Sequence, residues 1–118
     1  MTGLEMTERA ILAPNTPKST GSKLPRKTVF SFFVNQEATV SVVFKQVRKD
    51  GSLVRRGALT RDTSTGKNRI RFEGKLPKPQ GGVQFLTAGR YRAFFTSHNE
   101  NGSSPEASIG FRVVRPKN

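Results

Sequence analysis

The stretch FSFFVNQEATVSVVFKQV, residues 30–47, decides the fold predicted for this chain of 118 residues. Apolar side chains recur there at every second position on both sides of the polar turn Asn35–Glu37. A period of two is the pattern of a β-strand with one buried face and one exposed face. The stretch therefore predicts two strands joined by a short turn. The predicted inward residues are Phe30, Phe32, Val34, Ala38, Val40, Val42 and Phe44.

The same alternation continues toward the C-terminus. The pair Asp50-Gly51 is a hairpin signal, and the segment with Pro77, Pro79, Gly81 and Gly82 indicates a long loop. About seven short strands, regularly spaced turns and almost no helix predict an all-β chain, a single antiparallel β-sandwich. The further predicted strands are Leu53–Thr60, Asn68–Glu73, Arg90–Ser97 and Ser108–Arg115, with loops at Thr63–Lys67 and His98–Pro105.

The N-terminal residues have a different composition. Pro14, Pro17 and Pro25 surround a Ser- and Thr-rich stretch, and such a composition buries too little surface to order itself. We therefore predict an extended basic arm over residues 1–27 and a sandwich domain over residues 28–118. The arm is expected to be mobile in the isolated protein and to order only on a larger assembly.

The charge indicates the class of partner. Twenty-one Lys and Arg oppose eight Asp and Glu, giving a net charge of +13. Solubility of a small domain needs a net charge of only ~2–8, so this excess favours an acidic partner. Cysteine is absent, which excludes disulfides and thiolate chemistry. No apolar run is long enough to span a membrane, and the N-terminus lacks the apolar core of a signal peptide.

Three blocks resemble bacterial immunoglobulin-like domains of the flagellar hook-capping type and the fibronectin III-like spacers of bacterial surface proteins. The first is FSFFVNQEATVSVVFKQVRKDGSLVRRG, the second GKNRIRFEGK and the third AGRYRAFFTSHNENGS. Phe72 and Glu73 stand where that family usually has Trp and Asp, and LPKPQGGVQFLTAG is a longer loop than usual. The resemblance implies an Ig-like sandwich, but it implies no substrate because such modules host many roles.

Gly89 and Tyr91 fit one structural device of sandwiches. Gly89 would let the chain turn sharply into the strand, and Tyr91 would bury its ring while its hydroxyl returns to a nearby backbone group. The alternative is that Tyr91 is simply another aromatic residue of the core.

No pattern of catalytic residues is visible. His98 is the single histidine and falls in a predicted loop without a nucleophile or an orienting partner nearby. The eight carboxylates are spread over separate turns and the arm, and the glycines form no phosphate-binding motif. We therefore expect no enzyme activity, no cofactor and no metal.

The basic residues do form a pattern. Alternation places most of them on outward faces, and Phe33, Val43 and Phe94 also point outward in this register. Exposed apolar groups among arginines are typical of a protein interface, although a solvated strand face would look similar. The predicted docking residues are Lys45, Arg55, Arg56, Arg69, Arg71, Arg90, Arg92, Phe94 and Arg112, with Arg61 and Lys67 close by.

These features favour a non-enzymatic structural module that docks by its basic face and arm onto an acidic protein surface, repeated in a larger assembly. Decoration of a virus capsid or virion is one example, so a virion surface or an extracellular location is favoured. A secreted accessory module that binds anionic polysaccharide or acts as a spacer is the first alternative. Nucleic-acid binding is the second, and the core positions of most phenylalanines count against it.

Overall fold

The computed structural model describes residues 1–17 and 23–116. The described residues contain eleven strands and no helix. The strands are β1 (Thr2–Met6), β2 (Ala10–Leu12), β3 (Thr28–Val34), β4 (Ala38–Val47), β5 (Leu53–Thr63), β6 (Gly66–Phe72), β7 (Lys75–Pro77), β8 (Val83–Phe85), β9 (Gly89–Asn99), β10 (Gly102–Ser103) and β11 (Ala107–Val114).

The strands form two main sheets and a small hairpin. The small sheet has the order β1-β3-β6, and the large sheet has the order β2-β11-β9-β4-β5 with β10 added on β9. All pairings are antiparallel except that of β2 with β11. The expected all-β fold of antiparallel sheets is thus confirmed, and the sheets pack as a β-sandwich.

The core lies between the two sheets and consists largely of phenylalanine rings. Phe30 of the small sheet lies with its ring centroid 5.2–6.3 Å from the rings of Phe44, Phe72, Phe95 and Phe111. Burying one such side chain contributes about 1.5–3 kcal/mol, so this cluster supplies much of the folding free energy. Of the predicted inward residues, Phe30, Phe32, Val34, Val40, Val42 and Phe44 are buried and Ala38 is half-buried. On the later strands, Ile70, Phe72, Phe111 and Val113 are also buried, and Ile109 is half-buried.

The first thirteen residues differ from the expected arm. β1 pairs with β3 in the small sheet, and β2 pairs with β11 in the large sheet. Ile11, Leu12 and Ala13 are at most 3% exposed, and Ile11 and Ala13 belong to the hydrophobic core. Residues 18–22 of the predicted arm, and residues 117–118 of the predicted domain, lie outside the described residues.

Two predicted loops contain short hairpins. β7 and β8 pair within the long Pro- and Gly-rich segment, and β10 pairs with the end of β9. Leu76 of β7 is fully buried and packs on Gly57, where a Cβ would lie 2.9 Å from Leu76 Cδ1. The absence of a side chain at Gly57 therefore lets the β7–β8 hairpin close over β5.

Tyr91 takes the predicted corner position. Its ring is 2% exposed, and its hydroxyl donates a 2.6 Å hydrogen bond to the carbonyl oxygen of Thr87. Gly89 is already the first residue of the extended strand β9, and a Cβ there would lie 2.7 Å from Gln46 Nε2. Its φ of +156° is a backbone conformation that residues with a side chain rarely adopt, so the backbone itself favours glycine here, whereas the flexible end of Gln46 can move aside.

Candidate functional site

The outer face of the large sheet carries most of the predicted docking residues. Residues directly opposite each other on paired strands share a face of the sheet, so the register fixes which side chains are neighbours. Across strands β5, β4, β9 and β11, the outward rows are Leu53–Val47–Arg90–Arg112, Arg55–Lys45–Arg92–Gly110, Ala58–Val43–Phe94–Ser108, Thr60–Ser41–Thr96 and Asp62–Thr39–His98.

Four arginines surround one cavity at the first end of this face, the end that carries the row with Arg90 and Arg112. Arg9, Arg90, Arg92 and Arg112 line a groove of about 550 Å³, which we call the arginine groove. Apolar groups, including Val47, line the same groove. The groove therefore combines several guanidinium groups with an apolar wall.

Two of these arginines are fixed by hydrogen bonds to β11. Arg9 Nε donates to the carbonyl oxygen of Gly110 at 2.5 Å, and Arg92 Nη1 donates to Ser108 Oγ at 2.9 Å. Both bonds leave other N–H groups of each guanidinium available, since arginine has five donors. The groove is thus partly organised before any ligand arrives.

The arginines of the groove are not neutralised by carboxylates of the described residues. The one ion pair in that part of the chain joins Arg71 and Glu73 at 3.1 Å, outside the groove. Arg90 and Arg112 are exposed at the surface. Their positive charge therefore remains available to a partner.

Arg69 and Arg71 do not join this groove. Both lie on β6, which pairs with β3 in the small sheet, so they belong to the other layer of the sandwich. The predicted docking residues are thus divided between the two sheets.

Arg56 lies at a bulge that separates it from the rows of the outer face. The register of β4 with β5 shifts between Phe44 and Lys45, which leaves Arg56 unpaired opposite them. Its Nε donates to Gln46 Oε1 at 2.9 Å. Arg55 and Arg56 also line a second cavity, of about 330 Å³, beside the β7–β8 hairpin.

The outward phenylalanines are only partly available. Phe94 is half-buried, with Lys45 Nζ 4.9 Å from its ring centroid. Phe33, on the outer face of the small sheet, is 47% exposed and packs against Gly3 of β1. An aromatic ring often covers a glycine of a neighbouring edge strand. This contact explains why Phe33 points outward, and no binding partner is needed to explain it.

The second end of the same face, which carries the row with Asp62 and His98, has the opposite charge. Glu37, Asp62 and Glu100 line a cavity of about 580 Å³ together with His98, and we call these three carboxylates the acidic patch. Thr39 Oγ1 donates to Asp62 Oδ1 at 3.2 Å, and His98 Nε2 lies 3.1 Å from Ser41 Oγ. His98 belongs to β9 and is half-buried, whereas the sequence predicted a loop position.

Sequence reasoning missed Arg9 and the acidic patch. Arg9 reaches Gly110 across 101 positions of the chain, and no local pattern reports such a contact. The three carboxylates come from separate turns and strand ends, and only the pairing of β5, β4 and β9 brings them together.

Comparison of the chain with protein-family models, curated proteins and solved structures gives no match. The described residues include no helix long and apolar enough to cross a membrane. Any functional conclusion therefore rests on the geometry of the two charged ends.

Proposed function

We propose that this protein is a non-enzymatic, Ig-like interaction module that docks through the arginine groove onto an acidic surface of a larger assembly, such as a virus capsid or virion. One observation carries the proposal. Four arginines from β9, β11 and the N-terminal segment surround one groove, and no carboxylate of the described residues pairs with them.

The topology supports the Ig-like assignment. Two packed antiparallel sheets, together with a tyrosine whose hydroxyl returns to the backbone four residues upstream, are features of that class. The parallel pairing of β2 with β11 places the N-terminal segment against the last strand. Arg9 thereby reaches the groove.

Guanidinium chemistry supports a carboxylate-bearing partner. The planar fork of arginine binds carboxylate through two parallel hydrogen bonds, and several forks around one groove accept several carboxylates at once. Val47 in the wall and the exposed Leu53 beside it provide apolar contact for the same partner. Such a combination suits a protein surface better than a purely ionic polymer.

The acidic patch argues against a long polyanion. Nucleic acid or anionic polysaccharide lying along the strands would meet Glu37, Asp62 and Glu100 at the second end of the face. Repulsion there would limit the polymer to the first end. A folded partner with a localised acidic surface avoids this repulsion.

The test compares binding of polyglutamate, heparin and duplex DNA by the wild type and by the double variant Arg90→Ala/Arg112→Ala. Loss of two exposed contacts of about 0.7 kcal/mol each weakens polyglutamate binding about tenfold. The control is Lys67→Ala/Arg69→Ala, which removes the same charge from the small sheet and is expected to bind like the wild type.

Two results would count against the proposal. Equal losses in the groove variant and the control would mean that only net charge matters. Tighter binding of DNA or heparin than of polyglutamate, with a steep salt dependence of the kind seen for phosphate contacts, would favour a polyanion as the partner.

A further inference from the structure

We infer that the outer face of the large sheet is self-complementary, and that a second copy of this chain docks on it in antiparallel orientation. This inference rests on the proposed function, because it also requires the arginine groove to bind an acidic protein surface. Here that surface is the acidic patch of a second copy. The two copies are related by a two-fold axis through the row that contains Phe94.

The register places the two charged ends symmetrically about that row. Arg90 and His98 lie on β9 at four residues before and four residues after Phe94, and both side chains point outward. At about 3.4 Å per residue, each end is about 14 Å from the central row. A two-fold axis that lies in the plane of the interface and runs across the strands along the Phe94 row therefore places the arginine groove of one copy over the acidic patch of the other.

Two such faces packed together bring opposite charges into contact twice. The groove of the first copy meets Glu37, Asp62 and Glu100 of the second, and the second groove meets the patch of the first. Opposite potentials across an interface fix its register and disfavour other orientations. The parallel orientation would instead place arginine on arginine.

The central row supplies the apolar part of this interface. Ala58, Val43 and Phe94 lie side by side on β5, β4 and β9, and all three are half-buried in the isolated chain. Lys45 lies over Phe94 and leaves part of the ring at the surface. An apolar centre between charged ends matches the usual anatomy of protein interfaces.

The face is large enough for a specific contact. Four strands at a spacing of ~4.8 Å, over ~27 Å between the Arg90 and His98 rows, cover about 500 Å² on each copy. The pair therefore buries about 1,000 Å², the lower limit for a specific interface. Closed two-fold dimers are also the commonest oligomers of soluble proteins.

The net charge of +13 on each copy opposes association at long range. At physiological ionic strength the Debye length is ~8 Å, so charges on distant parts of the two copies are largely screened while contacting pairs are not. The dimer is therefore expected near physiological salt and is weakened at both very low and high salt.

Sedimentation equilibrium of the full chain tests the dimer between about 1 µM and about 500 µM, where an interface of this size gives a measurable Kd. We expect a reversible monomer–dimer equilibrium at about 0.15 M salt, where the Debye length is ~8 Å. A monomer over the whole range would overturn the inference.

Charge reversal at either end is expected to abolish the dimer. The variants are Arg90→Glu/Arg112→Glu at the groove and Asp62→Lys/Glu100→Lys at the patch. A mixture of the two recovers part of the association, because the intact groove of one variant meets the intact patch of the other. The control Lys67→Glu/Arg69→Glu has the same charge change as the groove variant and stays dimeric; loss of its dimer would overturn the inference.

Disulfide trapping provides a measurement that does not depend on these charged variants. The chain has no cysteine, so a single introduced thiol reports one site. Ser108→Cys, next to Phe94 in the central row, is expected to give a covalent dimer on oxidation, whereas Arg69→Cys on the small sheet is not. Equal trapping at both sites would contradict the two-fold face.

The failure of this inference differs from the failure of the proposed function. If polyglutamate binds at the groove but the chain is monomeric and no Ser108→Cys dimer forms, only the self-association is wrong. If the groove binds no carboxylate polymer, the proposed function fails whatever the oligomeric state.

Discussion

The rings of Phe44 and Phe72 stack across the two sheets, with centroids 4.6 Å apart and planes 16° apart. Phe44 belongs to β4 of the large sheet and Phe72 to β6 of the small sheet. Both rings are at most 2% exposed, and Phe111 contacts each of them edge-on. This pair therefore links the layer that carries the arginine groove to the layer behind it.

Replacement of Phe72 by alanine is expected to lower the free energy of unfolding by about 3–5 kcal/mol, because it leaves a cavity between the sheets. Urea denaturation measures the loss. Phe33→Ala is the matched control, since its ring is 47% exposed on the outer face and its loss is expected to cost about 1 kcal/mol or less. Equal losses in the two variants would contradict the assigned core.

Replacement of Ile11 by alanine tests whether the N-terminal segment is part of the sandwich. Ile11 of β2 is fully buried in the hydrophobic core, so we expect a loss of about 2–5 kcal/mol in the free energy of unfolding. Thr2→Ala, at an exposed position of β1, is expected to change it by less than about 0.5 kcal/mol. An unchanged stability of Ile11→Ala would mean that this segment behaves as a free arm.

Replacement of Tyr91 by phenylalanine removes the hydrogen bond to the Thr87 carbonyl and keeps the ring. We expect a loss of about 1 kcal/mol, the usual net contribution of one intramolecular hydrogen bond. Thr87→Val keeps the backbone acceptor and is the control, with no change expected. A larger loss in Thr87→Val than in Tyr91→Phe would show that the corner is held by side chains instead.

The hairpin turn between β4 and β5 gives a prediction on pH. The Ser52 hydroxyl, at 2.6 Å, and the Ser52 amide, at 2.9 Å, donate to Asp50 Oδ1 and lower the pKa of this carboxyl below its usual 3.8. A lowered pKa in the folded state stabilises the fold above pH 3.8, and this contribution is lost as the pH falls through the folded value.

Titration of the Asp50 carboxyl carbon by NMR measures this pKa. In Ser52→Ala, which removes the first donor, we expect the pKa of Asp50 to rise toward the usual value. Ser108→Ala, remote from this turn, serves as the control. An unchanged pKa in Ser52→Ala would mean that the hydroxyl does not hold the carboxylate in solution.

Local pattern predicted the layers of the fold but not which strands share a sheet. The alternation at Phe30, Phe32, Val40 and Val42 is a property of each strand alone, and the structure buries all four. The separation of Arg69 from Arg90 depends on strand pairing, because β6 pairs with β3 whereas β9 pairs with β4. Alternation carries no information about such long-range pairing.

The candidate site was predictable only in part for the same reason. Arg90, Arg92 and Arg112 lie together because β9 and β11 are neighbours, as consecutive long strands often are. The N-terminal apolar run at residues 11–13 is too short to show a period, so its place in the core, and with it the approach of Arg9 to the groove, could not be derived.

The parallel pairing of β2 with β11 has a mechanical consequence. Ala10 lies beside Arg112 and Leu12 beside Val114. Backbone hydrogen bonds from Arg112 N to Arg9 O and from Ala13 N to Val114 O lie at the two ends of this pairing. Because the two strands run in the same direction, opposite pulls on Ala10 and Val114 slide them past each other. Tension would then load these bonds together, in shear, rather than unzip them one after another.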